Sequence, residues 1–114
     1  MEILGRNFHD GRAAEIDLIG REGETILFIE VKFRRSLSAG TPEEAVTASK
    51  QRSICAAARY YLYCRHLPET TPVRFDVVAI RPALPLPSET QDPSLPASRR
   101  IHIRWIRDAF PFLL

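Results

Sequence analysis

Two stretches near the N-terminus carry the two-residue period of β-strands. Glu15-Ile16-Asp17-Leu18-Ile19 alternates polar with apolar positions, Gly20-Arg21-Glu22-Gly23 has the composition of a turn, and Thr25 to Phe33 is rich in Ile, Phe and Val. Together they predict a β-hairpin. Thr41-Pro42-Glu43-Glu44 then reads as a capping box with proline at the first helical position. The glycine-free, proline-free run behind it predicts one long helix that ends before Pro68. Val73 to Ile80 predicts a third strand, with Val73, Phe75, Val77 and Ala79 on one face and Arg74, Asp76, Val78 and Ile80 on the other. Between Arg81 and Ser98, Pro82, Pro85, Pro87, Pro93 and Pro96 exclude regular structure and predict a long loop. Arg99 to Ile106 alternates again, with Ile101, Ile103 and Trp105 on one side, as a fourth strand that is antiparallel or at an edge. The tail from Ala109 to Leu114 is expected to return onto the sheet.

This order predicts an α/β fold in one domain spanning residues 1–114: a small mixed sheet with a β-β-α-β core and a long helix across one face. A helical crossover places the second and third strands parallel, with right-handed connectivity. The second strand is apolar on both sides, because Leu27, Ile29, Val31 and Phe33 point away from Ile26 and Phe28. The sequence holds no second helix to cover that far side. A preceding N-terminal segment or a partner subunit, including a second copy of this chain as a homodimer, would cover it.

Composition narrows the class. A chain of 114 residues that is 45% hydrophobic and 26% charged excludes wholesale disorder. It contains no apolar run long enough to span a bilayer, and its start, MEILGRNFHD, lacks the order of a signal peptide. These features predict a soluble, cytoplasmic protein with no membrane partner. The net charge of +2 arises from 16 basic and 14 acidic side chains, and all the basic ones except Lys32 and Lys50 are arginine. So small a sum excludes a histone-like mode of holding nucleic acid, but it permits a local basic surface. From Arg34 to Arg65, Arg34, Arg35, Lys50, Arg52, Arg59 and Arg65 face only Glu43 and Glu44. That excess suits either a solvated helix face or a phosphate-tracking surface. Cys55 and Cys64 fall half a helical turn out of phase and about 13 Å apart along the axis, so they cannot pair, which suits a reducing compartment.

The candidate chemistry lies where charges interrupt the strands. Glu30 and Lys32 share a face about 6.6 Å apart, with Val31 turned the other way. Glu15 and Asp17 share a face on the neighbouring strand. Burying such groups costs several kcal/mol unless partners or a metal compensate. Two arrangements would do so. Lys32 could neutralise Glu30 or Asp17 in a structural ion pair. Alternatively, Asp17, Glu30 and the backbone carbonyl of Val31 could hold Mg²⁺ or Mn²⁺ while Lys32 contacts water or phosphate, since Mg²⁺ is commonly held by one or two carboxylates with waters and phosphate oxygens. A lysine's compact ammonium suits that position. Helical phase counted from Val46 leans Lys50 inward with Ser53, Ala57, Tyr60, Tyr61 and Cys64, and turns Arg52 and Arg59 outward. Lys50 then either reaches an active-site phosphate or snorkels at the edge of the core. Asp76 reads as the partner of Arg74 in a structural salt bridge. His9, His66 and His102 show no metal spacing, and Tyr60, Tyr61 and Tyr63 read as packing residues.

Five ordered blocks, Arg6-Asn7, Glu15-Ile16-Asp17-Leu18-Ile19, Phe28-Ile29-Glu30-Val31-Lys32, Glu44-Ala45-Val46 with Lys50, and Arg74-Phe75-Asp76-Val77-Val78-Ala79-Ile80, resemble the YraN-like family of bacterial proteins. The resemblance runs from residue 3 to about residue 80 and touches Ala109-Phe110. That family is similar in fold to the PD-(D/E)XK, or restriction-endonuclease-like, nucleases, and particularly to archaeal Holliday-junction resolvases. The resemblance implies a nuclease core in which Asp17, Glu30 and Lys32 are the matching catalytic residues. It also implies an N-terminal helix bearing a glutamate ahead of Arg6-Asn7, for which the five residues before Arg6 leave no room. Ala14 stands where relatives carry glycine, and Ile16 where the nuclease motif commonly has proline.

The resulting expectation is a metal-dependent nuclease-like protein that hydrolyses DNA phosphodiester bonds, with branched DNA as a substrate class. Asp17, Glu30 and Lys32 would carry the chemistry, Arg34, Arg35, Lys50 and Arg52 would hold the nucleic acid, and Glu15 and Gln51 would be accessory. The alternatives are a non-catalytic nucleic-acid-binding module on the same fold, or a protein-interaction domain that docks a partner on its bare sheet face.

Overall fold

The computed structural model describes residues 1–9, 15–33, 46–82 and 101–112. Five strands and one helix follow in the order β1 (Glu2–His9), β2 (Glu15–Glu22), β3 (Thr25–Phe33), α1 (Ala48–Cys64), β4 (Val73–Pro82) and β5 (Ile101–Phe110). The strands form one sheet in sequence order. Pairs β1–β2, β2–β3 and β4–β5 are antiparallel, and β3–β4 is the parallel pair that a helical crossover requires. The protein is therefore α/β, a mixed five-stranded sheet with a helix packed on it, consistent with the restriction-endonuclease-like fold.

The hairpin forms as the alternation predicts, but its turn is Gly23-Glu24 rather than Gly20 to Gly23. Gly23 supplies the positive φ of 61° that a two-residue loop needs at its first position. Gly20 instead lies buried within β2, where an added Cβ would stand 2.7 Å from the Met1 sulfur.

The N-terminal residues form β1, a strand that the period-two pattern does not reveal. Its register slips between Ile3 and Gly5, and Asn7 sits at φ 52°, so the alternation breaks twice within eight residues. Asparagine is one of the few side chains that tolerate that left-handed conformation, which gives the Arg6-Asn7 block a backbone role.

The helix begins later than the capping box suggests. Thr41 to Glu44 lie outside the described residues, and the observed N-cap is Thr47, whose extended backbone (ψ 160°) starts α1 and whose hydroxyl accepts from the Lys50 amide. Because Val46 precedes this bend, helical phase cannot be counted from it. The buried stripe is Ile54, Cys55, Ala57, Ala58, Tyr61 and Leu62, and Tyr60 and Cys64 are exposed rather than inward. The opposed placement of the cysteines holds, and neither forms a disulfide. At the other end the His66 amide donates to Tyr63 O and the Leu67 amide to Leu62 O, a Schellman motif with His66 at φ 56°.

The core between helix and sheet joins that stripe to Ile16, Ile19, Ile26, Phe28, Phe75, Val77 and Phe110. Phe28, Phe75 and Phe110 stack in a row across three strands, and Tyr61 meets Phe28 edge-on. Two strand ends differ from expectation. β4 continues through Arg81 and Pro82, which the sequence assigns to the loop, and residues 83–100 lie outside the described set. β5 runs on to Phe110, because an irregularity opposite Asp76, with Asp108 at φ 53°, returns Phe110 to the core beside Ile106. The tail returns onto the core as expected, Phe112 meeting Phe75 at 5.4 Å between ring centroids just beyond the strand's end.

The far side of β3 is covered at one end only. Leu27 and Ile29 are buried, contrary to the bare face expected, whereas Phe33 is 77% exposed. By register Phe33 neighbours Ile80 and Ile103, and Val31 neighbours Val78 and Trp105. One exposed apolar patch among the described residues thus lies at the end of β3 and the adjoining part of β5. Among the described residues no helix is long and apolar enough to cross a membrane.

Candidate functional site

Two acidic side chains are buried among the described residues, Glu30 and Asp76, and their surroundings are opposite. Asp76 lies on the far side of the sheet. It accepts from Arg74 Nε (2.9 Å), Arg74 Nη2 (3.0 Å), Trp105 Nε1 (2.9 Å) and the Asp108 amide (2.9 Å), two donors on each oxygen. Burial alone would push its carboxyl up. The Arg74 hydrogen bond, then those from Asp108 and Trp105, outweigh that and hold it below the usual carboxylate range. Arg74 also faces Glu22 at 3.5 Å, and Arg107 reaches the same carboxylate at 3.6 Å. Asp76 is therefore the structural salt bridge expected from the sequence, extended by Trp105 and the Asp108 amide. Those two partners depend on a strand register that the sequence does not specify.

Glu30 is the other case. It lies on the helix side of β3, level with Val77, and Lys32 follows on the same side level with Ala79. Its side chain is 7% exposed. Oε1 faces Lys32 Nζ at 3.3 Å and Lys50 Nζ at 4.0 Å, while Oε2 is buried with no hydrogen-bond partner. Burial pushes its carboxyl up and nearby Asp17 adds to that, against the opposing pull of Lys50 and Lys32. A buried acceptor left without a donor costs about 1–3 kcal/mol.

The backbone explains how Asp17 arrives there. The β2–β3 ladder runs from Glu22↔Thr25 to Leu18↔Ile29. At the next position the Asp17 side chain takes over, its Oδ2 accepting from the Val31 amide at 2.7 Å. Asp17 is thereby fixed beside the Glu30-Val31 peptide. α1 brings in Lys50 from its first turn, positioned by the Thr47 cap.

The structure thus brings together Asp17, Glu30, Lys32 and Lys50. Gln51 instead donates to Val46 O at 3.0 Å, and Glu15 faces His9 at 3.9 Å. Arg52 is exposed on the outer side of α1, and Arg34 and Arg35 lie outside the described residues. The Lys50 ammonium lies beside this cluster at the partly exposed edge of the core.

The fit to a hard divalent cation rests on the orphaned Glu30 Oε2 and the adjoining Asp17 carboxylate. No group of three or more His, Cys, Asp and Glu gathers among the described residues, so waters and substrate oxygens would complete the shell, as is usual for Mg²⁺.

The description "Uncharacterised protein family UPF0102" matches residues 1–80, which include all four clustered side chains. A UPF0102 protein of Lachnoclostridium phytofermentans is 49% identical over 79 residues, covering 69% of this chain and 66% of its own length. One from Rhodococcus opacus is 52% identical over 82 residues, 70% and 66% of the two chains. One from Chromohalobacter salexigens is 39% identical over 110 residues, 96% and 76%. In the first two comparisons the chain spans slightly less than two thirds of the relative's length. With its blocks, fold and family match in agreement, the chain belongs to uncharacterised protein family UPF0102, the YraN-like family.

Proposed function

We propose that this protein is a metal-dependent nuclease-like enzyme that hydrolyses DNA phosphodiester bonds, branched DNA being the first substrate class to test. The observation that carries the proposal is the contrast between the two buried acids. Asp76 has every oxygen satisfied, whereas Glu30 keeps a buried oxygen free beside Asp17 and two lysines. A protein gains no stability from an orphaned buried carboxylate oxygen, but such an oxygen suits a cation ligand.

In this reading Asp17 and Glu30 hold Mg²⁺ or Mn²⁺, with the Val31 carbonyl as a further ligand. The ion, when bound, supplies Lewis-acid polarisation of the phosphodiester and a more acidic water. Lys32 places a positive charge where negative charge grows on the phosphoryl oxygens. Arg52 and Lys50, with Arg34 and Arg35, bind the backbone, which confers little sequence preference.

Incubating the protein with end-labelled linear and branched DNA and Mg²⁺ or Mn²⁺ tests this. Cleavage is expected, reduced by about 10²–10³-fold in Lys32→Ala, the range for loss of one charge-stabilising group. No cleavage of any substrate, or cleavage undiminished in Lys32→Ala, rejects it. A second reading, a protein-interaction role, is favoured by the exposed Phe33, Ile103 and Trp105 on the opposite sheet face. A stable dimer in light scattering, together with no DNA binding, would select that reading.

A further inference from the structure

Two lysines attend one oxygen of Glu30, but one suffices to balance its charge. Lys32 Nζ is the nearer, at 3.3 Å, and it is carried by the same strand. Lys50 Nζ lies at 4.0 Å, beyond hydrogen-bond reach, and its side chain is 38% exposed on the first turn of α1. Lys50 is therefore the loosely held member, with a long side chain that can leave without disturbing β3. The four charges of Asp17, Glu30, Lys32 and Lys50 balance, so the cluster needs Lys50 only while no other cation is present.

We infer that Lys50 is an exchangeable counter-ion of Glu30, displaced when a divalent cation binds and then free to contact a backbone phosphate, so that metal and DNA binding are coupled. This rests on the metal-site reading above. A cation entering between Asp17 and Glu30 satisfies the orphaned Oε2 and removes the electrostatic hold on Lys50. The released ammonium sits at the N-terminal end of α1, where backbone amides already favour an anion. By linkage, the factor by which metal strengthens DNA binding equals the factor by which DNA strengthens metal binding.

The test measures binding rather than turnover. A fluorescein-labelled DNA duplex is titrated by anisotropy with and without Ca²⁺, and Ca²⁺ binding to the free protein is followed by calorimetry, for wild type, Lys50→Met and Lys50→Arg. Ca²⁺ should raise wild-type DNA affinity about tenfold, within the usual range of coupling between sites. Lys50→Met should lose most of the enhancement and bind Ca²⁺ more tightly because the competing cation is gone. Lys50→Arg, which keeps the charge, should retain part of the enhancement. An undiminished enhancement in Lys50→Met overturns the inference, as does an equal loss of DNA affinity with and without Ca²⁺. Failure of wild type to bind Ca²⁺ or Mn²⁺ at all overturns the metal-site reading together with it. Metal binding with unaltered coupling in Lys50→Met removes the exchange alone.

Discussion

Replacing Asp76 by asparagine should destabilise the protein by about 3 kcal/mol without touching the candidate chemistry. Each carboxylate oxygen accepts two donors, Arg74 Nε with the Asp108 amide on one and Arg74 Nη2 with Trp105 Nε1 on the other. Asparagine presents one oxygen and one NH₂ group, so in either orientation two donors meet a donor and the charge is lost. Hydrogen bonds to a charged group contribute about 1.5–3 kcal/mol each, which gives about 3–6 kcal/mol for two. Arg74 keeps Glu22 as an alternative partner, so the lower end of that range applies. With a urea m-value of about 1.5 kcal/mol/M, the unfolding midpoint should fall by about 2 M. The pH dependence gives an independent check. Because Asp76 is held below its ordinary value of 3.8, its contribution is fully present above that pH and is lost as pH falls through the lowered folded-state value. The variant should lack that acid-side loss. A midpoint shift worth less than about 1 kcal/mol would refute the view that this network ties β4 to β5.

The other buried acid should behave in the opposite sense. With its carboxyl raised above 4.5, Glu30 binds more protons in the folded state than in the unfolded one, so metal-free stability should fall as pH rises from 4.5 through the raised value. Glu30→Gln, which resembles the protonated form, should abolish that fall and be no less stable than wild type in chelator at neutral pH, measured by thermal melts across pH. His66→Gly should raise stability by about 0.5–1 kcal/mol in urea titration, because glycine adopts the left-handed position of the Schellman motif without the penalty that histidine bears there. Thr47→Ala removes the cap of α1 and should cost about 1 kcal/mol by the same assay.

β2 and β4, which alternate, and β3, which is rich in Ile, Phe and Val, are legible in the sequence, and so is the shared side of Glu30 and Lys32, because side-chain direction in a strand follows from parity alone. β1 is hidden by its register slip and by the left-handed Asn7, which together destroy the alternation within eight residues. The true start of α1 is hidden because Thr47 has Lys50 rather than Glu or Gln three residues later, so Thr41-Pro42-Glu43-Glu44 carries the stronger local signal. The place of Lys50 beside Glu30 depends on how the helix sits over the sheet, as the bond from the Asp108 amide to Asp76 depends on the irregularity in β5. Both are tertiary outcomes on which local pattern is silent. The burial of Leu27 and Ile29 is likewise invisible to periodicity, which marks a face as apolar without saying what covers it.

The central claim is that Asp17 and Glu30 form a cation site rather than a purely structural ion cluster with Lys32. Anomalous diffraction from a crystal of this protein soaked in Mn²⁺ tests it most directly. A single strong peak is expected between the Asp17 carboxylate and Glu30 Oε2, at the short metal–oxygen distance of about 2.1 Å typical of small hard cations. Absence of a peak there, with Lys32 still paired to Glu30 and Oε2 still buried and alone, would contradict the claim.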